Sequence, residues 1–252
     1  MGTVAAGLSF VLVVGAAPDA HAGAIRPASA AAASQSNATI EAQALASAFD
    51  LAGAAGILAA AGQRGDLFAQ LAGVYVRGLI DAHDASRLGG SPDSLMPVRQ
   101  AIAWLEIAAN GRPGSAEIAR LMLQAAAAAA QSEREEMRLY LDTAIRMETL
   151  QRAAGLTGAP IIAAAETAGD LWLQVHRYDE ARRAYDEAAE RFGSSLRILA
   201  GRARAARGLN DPTAACAGFR ALLDAWAQRP GTPAEIVEAR EYVLDSCGLQ
   251  GR

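Results

Sequence analysis

From Thr39 onward, apolar positions recur every three or four residues, the spacing of one helix face, and no stretch alternates with a period of two. Short breaks rich in helix-ending and helix-starting residues separate these stretches. Gly62-Gln63-Arg64-Gly65-Asp66 divides the first two, with Asp66 placed to cap the second. Gly89-Gly90-Ser91-Pro92, Asn110-Gly111, Pro113-Gly114-Ser115 and Thr157-Gly158-Ala159-Pro160 mark later joints. Ser132 with Glu135, and Thr232 with Glu235, have capping-box spacing. Asp211-Pro212 and Thr232-Pro233 each set a capping residue before a proline at the first helical position. The pattern predicts about ten helices: 40–62, 66–88, 95–110, 115–130, 133–154, 159–175, 178–192, 195–208, 212–228 and 233–247. Joints of a few residues make consecutive helices antiparallel neighbours.

Composition agrees. Of 252 residues 63 are Ala, the best helix former and a weak strand former, which argues for an all-α protein. All 23 basic residues are Arg, so every Lys-dependent chemistry is excluded, including a Schiff base and a phosphate-loop Lys. The net charge of −4 argues against a nucleic-acid partner.

The beginning of the sequence differs from the rest. Val4–Ala17 is apolar or small, Pro18-Asp19 ends it, and Ala20-His21-Ala22 follows as a small-x-small site. This is the layout of a secretory signal peptide over 1–22, cleaved near Ala22; an uncleaved anchor is the alternative. The run is shorter than the ~20 residues that span a bilayer, so no span is expected in the mature protein. Residues 23–38, rich in Ala and Ser, read as a flexible linker. Helical hairpins follow over 39–158 and a repeat region over 159–252, in an exported protein, periplasmic or secreted.

A step of 34 residues appears in the last part of the sequence. It carries Gly169 to Ala203, Trp172 to Ala206, Ala181 to Ala215, Tyr185 to Phe219 and Ala188 to Leu222. Gly169, Trp172, Tyr178, Ala181, Tyr185 and Ala188 resemble one tetratricopeptide repeat, and Arg177-Tyr178-Asp179-Glu180-Ala181 resembles that family's inter-helix turn. Residues 196–228 resemble the motif more loosely, with Asn210-Asp211-Pro212 at the turn and Ala206 where an aromatic is usual. Gly193 stands where Pro usually ends the repeat. Ile118–Met147 reads as a third unit, with Met137, Leu141 and Ala144 in its second helix. The whole sequence is similar to exported bacterial proteins with such C-terminal repeats. The resemblance implies a right-handed array of antiparallel helix hairpins, an α-solenoid, whose first helices line a concave groove. Helix 40–62 would cap one end and helix 233–247 the other.

In that register Arg197, Arg204 and Arg207 would face the groove, with Glu166 and Asp170 beside them. Guanidinium forks suit carboxylates, so the stripe would take an acidic peptide or a C-terminal carboxylate. The competing reading is that the two acids neutralise the stripe. Cys216 and Cys247 lie 14 and 17 residues from a joint near residue 230, at the same open end of an antiparallel hairpin. In an exported protein an even cysteine count points to a bridge; two small buried thiols are the other reading. His83 and His176 have no partner at metal-ligand spacing and read as packing or capping residues. The acids at Glu133, Glu135, Glu136, Asp179 and Glu180 fall in first turns, where negative charge is stabilised. Trp104, Trp172 and Trp226 read as core plugs. No motif for a cofactor, metal or catalytic set is present in this pattern. The sequence therefore points to a non-enzymatic protein- or peptide-binding scaffold. An adaptor or assembly subunit of an envelope complex, or an enzyme with an unrecognised site, are the alternatives.

Overall fold

The computed structural model describes residues 36–111 and 114–248; the expected signal peptide and most of the linker lie outside them. Among the described residues the protein is all-α, an array of antiparallel helix hairpins with eleven helices. They are α1 Asn37–Ser47, α2 Leu51–Gln63, α3 Leu67–Arg87, α4 Met96–Gly111, α5 Ser115–Ala130, α6 Arg134–Ala153, α7 Ala164–Gln174, α8 Tyr178–Phe192, α9 Leu196–Gly208, α10 Pro212–Trp226 and α11 Ala234–Ser246. No described helix is long and apolar enough to cross a membrane.

Five joints share one geometry. Phe49, Gly65, Ser132, His176 and Asn210 each adopt positive φ just before the next helix. The following amide then donates back to the previous helix: Asp50 to Leu45, Asp66 to Ala61, Glu133 to Ala128, Arg177 to Trp172 and Asp211 to Ala206. This closes the orphan carbonyls of the outgoing helix and turns the backbone back on itself. Ser132 is spent on this turn, so the expected Ser132–Glu135 box does not form and α6 starts without a side-chain cap. Thr232 does not cap α11 either, because Pro233 holds the N-cap position. Asp66 and Asp211 do cap, accepting from the Ala69 and Ala214 amides at 2.9 and 3.0 Å.

Two expected boundaries move. The single helix expected over 40–62 is two helices, α1 and α2, broken at Phe49 and Asp50. The Asp50 carboxylate accepts the Gly53 amide at 2.7 Å, an N-cap inside an Ala-rich stretch. A Cβ on residue 53 would lie 2.3 Å from that carboxylate, so glycine admits the cap. Phe49 takes φ 70°, unfavourable for a bulky residue. Its ring is thereby placed 6.3 Å from the Trp226 ring, packed on the core of the last hairpins. The α1–α2 joint therefore meets the far end of the array, and 40–62 is not a simple end cap.

The second shift is at α7, which begins at Ala164 rather than 159. Its N-cap residue, Ala163, has no side chain able to cap. Glu148 of α6 does so instead: its buried carboxylate accepts the Ala159 and Ala164 amides at 2.8 and 2.9 Å. The loop over 159–163 is held as a loop by this one side chain.

The odd-numbered helices α3, α5, α7 and α9 touch in sequence. Helix α5 buries residues on more than one face, much of it the alanine run 125–130, whose small side chains let neighbours approach closely. The Tyr75 hydroxyl of α3 lies 2.9 Å from the Thr167 hydroxyl of α7, in a fully buried contact. Alternate odd-numbered helices thus meet, and the inner side of this row is packed core at that point.

The 34-residue step has a physical basis here. Tyr185 of α8 is fully buried between α7 and α9, and a Cβ at Gly169 or Gly201 would lie 2.6 or 2.1 Å from its ring. Phe219 of α10 is likewise fully buried, 4.9 Å from the Tyr242 ring of α11. Each aromatic plugs the seam between successive odd-numbered helices. Burying one such ring contributes about 2–3 kcal/mol.

Candidate functional site

The residues expected to line a groove fall into two closed ion clusters. Arg197 donates through Nε to Glu166 at 2.8 Å and through Nη2 to Asp170. Its side chain is 12% exposed and that of Glu166 11%, so the guanidinium fork is occupied. Ser195 donates to the other Glu166 oxygen at 3.2 Å, and the Tyr185 hydroxyl donates to Asp170 at 2.5 Å. Burial pushes the Glu166 carboxyl up despite the opposing pull of Arg197. Burial likewise pushes the Tyr185 hydroxyl well up, helped by the Asp170 charge. Burial works against the Arg197 charge, but Asp170 and Glu166 outweigh it and hold the cation more firmly than usual.

Arg204 and Arg207 meet a partner absent from the sequence-based site. Glu238 of α11 accepts Arg204 Nε at 2.8 Å and lies 2.8 Å from Arg207 Nη2. Burial opposes its ionisation, and the two guanidiniums overcome that and lower its pKa. A signal for it is present: the 34-residue step takes Asp170 to Arg204 and Arg204 to Glu238. Helix α11, expected as a cap, stands where the next first helix would. Three arginines therefore face three carboxylates, and the stripe is neutralised.

The other candidates are placed as follows. Cys216 and Cys247 form a disulfide, with Cα atoms 5.7 Å apart, tying the start of α10 to the end of α11. His176 lies in a left-handed turn with Nδ1 3.0 Å from the Tyr178 hydroxyl, and His83 is exposed. Trp226 is buried, while Trp104 and Trp172 are half-buried and each lines a hollow.

Those hollows lie between even-numbered helices. A groove of about 580 Å³ separates α2 from α4, with α3 as its floor. Gly73, Val74 and Gly78 lie in the floor with the Arg77–Asp81 ion pair, Trp104 forms a wall, and the amides of Gln63, Gln70 and Gln100 stand around it. A shorter hollow of about 390 Å³ near the α7–α8 turn is lined by Leu173, His176, Tyr178, Arg204 and Arg207. A third groove separates α6 from α8, floored by Trp172. No family model, curated protein or solved structure matches this sequence.

Proposed function

We propose that this protein is a non-enzymatic scaffold that binds a protein or peptide outside the cytoplasm, as a tetratricopeptide-like array. The observation that carries the reading is the groove between α2 and α4. It is lined by residues of three helices, has Gly73, Val74 and Gly78 in its floor beside the Arg77–Asp81 ion pair, and presents amide side chains that can pair with an extended main chain. Trp104 offers a flat apolar wall for one anchoring side chain. The Cys216–Cys247 bridge favours an oxidising compartment, in line with the signal-like beginning of the sequence.

The test is a selection from a random peptide library on the immobilised mature protein, followed by affinity measurement on a Gln70→Ala/Gln100→Ala variant. Both side chains are exposed, so the fold should be unaffected. Selected peptides should bind the variant about ten-fold more weakly. Equal binding to both proteins would remove the groove from the proposal.

A second reading, an assembly subunit of a larger envelope complex, is favoured by exposed apolar side chains on α4 and α6. Ile107, Leu139 and Leu150 are 75%, 64% and 65% exposed. A stable higher-order species in light scattering would support it, and a strictly monomeric protein would not.

A further inference from the structure

The groove between α6 and α8 carries charge opposite in sign to the protein as a whole. Two hollows of about 430 and 490 Å³ share Asp142 and run along the facing sides of the two helices. Six arginines line them: Arg134, Arg138 and Arg146 from α6, and Arg177, Arg183 and Arg191 at or on α8. Four carboxylates oppose them, Glu135, Asp142, Glu180 and Glu187, so the groove is net +2 in a protein of net −4. Arg138, Arg177 and Arg191 pair with Glu135, Glu180 and Glu187 on their own helices or joints. Arg134, Arg146 and Arg183 have no carboxylate partner among the described residues.

Two further features point the same way. Trp172 forms its floor and offers a ring for an apolar or aromatic side chain. Arg134 and Arg146 are twelve residues apart on one helix, or about 18 Å along its axis. That spread fits a segment bearing several charges; a single small anion would need the arginines gathered at one point. A flat membrane surface would not reach the Trp172 floor.

We propose that this groove binds an acidic, extended segment of a partner protein. Its carboxylates would meet Arg134, Arg146 and Arg183, and one apolar side chain would cover Trp172. The inference rests on the scaffold reading but uses a different groove from the one between α2 and α4. The net negative charge elsewhere would orient such a partner towards this groove as it approaches.

The test is fluorescence anisotropy on the mature protein with a labelled short peptide of alternating Glu and Leu. A matched peptide with Gln for Glu, inorganic phosphate, and phosphatidylglycerol vesicles serve as the other arms. The Glu peptide should bind, with affinity falling as salt is raised. Arg134→Glu/Arg183→Glu should weaken it by about ten-fold or more, and Gln70→Ala/Gln100→Ala should leave it unchanged. Should charge reversal impair folding, Arg134→Gln/Arg183→Gln should still weaken binding, to an intermediate degree. The proposal is overturned if the Gln peptide binds as well, if neither arginine variant changes the affinity, or if the Glu peptide does not bind. Displacement by phosphate at equal charge would assign a small-anion site, and binding to vesicles alone would assign a membrane surface; both also overturn it. Loss of binding at the α2–α4 groove alone leaves this proposal standing, whereas failure at both grooves removes the scaffold reading itself.

Discussion

Replacing Arg197 by Met is the perturbation that most directly tests how α7 and α9 are held together. The side chain is 12% exposed and bridges Glu166 and Asp170 of α7 from α9. With charge centres ~4 Å apart and an effective dielectric of ~20, each carboxylate attracts it by about 4 kcal/mol before desolvation. Asp170 is 37% exposed, so its share is screened by solvent. Met keeps the volume but leaves Glu166 buried without its counter-charge. Breaking such a pair from one side costs about 3–5 kcal/mol. For a domain of this size that corresponds to a fall in melting temperature of roughly 6–20 °C.

The pH dependence gives the sign. The Glu166 carboxyl in the folded protein sits above its ordinary value of 4.5, chiefly through burial. A raised carboxyl binds its proton more tightly folded than unfolded, so this group costs stability as pH rises above that ordinary value. Without Arg197 the folded value rises further and the costly window widens upward. Below the ordinary value both states are protonated and the difference vanishes. Thermal melts followed by far-UV circular dichroism should therefore show the variant's deficit shrinking from pH 7 to about pH 5. Adding Glu166→Gln to the variant should restore part of the loss at neutral pH. A deficit below about 1 kcal/mol, unchanged with pH, would mean that the pair behaves as a solvated surface bridge and would refute the reasoning.

Three other perturbations test the packing. Gly201→Ala sets a Cβ 2.1 Å from the Tyr185 ring and should cost about 1–3 kcal/mol in a urea titration; an unchanged midpoint would show that the α7–α9 seam yields easily. Glu148→Ala removes the acceptor for two buried amides and should cost about 2–4 kcal/mol, with faster hydrogen exchange at Ala159 and Ala164; protection equal to the parent would mean another group caps α7. Reducing the Cys216–Cys247 bridge, which spans 31 residues, should lower stability by about 3–4 kcal/mol by loop-closure entropy; identical melts with and without reductant would contradict it.

Helices, most joints and the 34-residue step are legible in the sequence because they depend on near neighbours along it. An apolar residue every three or four positions makes a helix face, and Asp66 and Asp211 cap whatever follows them. Positions such as Tyr185 and Phe219 then follow from repetition of a unit that is stable only when stacked. Two cysteines near the same open end of a hairpin are legible for the same reason.

What tertiary structure alone decided lies wherever a residue finds its partner far along the sequence. The α1–α2 break has a local cap in Asp50 and Gly53, but the Trp226 ring that Phe49 meets lies far along the sequence. Glu148 sets where α7 begins by reaching across a loop that carries no cap of its own. Arg204 and Arg207 look free in the sequence because Glu238 belongs to a helix expected only to cap the end. The grooves between even-numbered helices have no sequence signature at all, since they are the space left when rows of helices pack. Periodicity specifies which face of a helix is apolar; only the stacking determines which face it meets and which polar side chains remain exposed beside it.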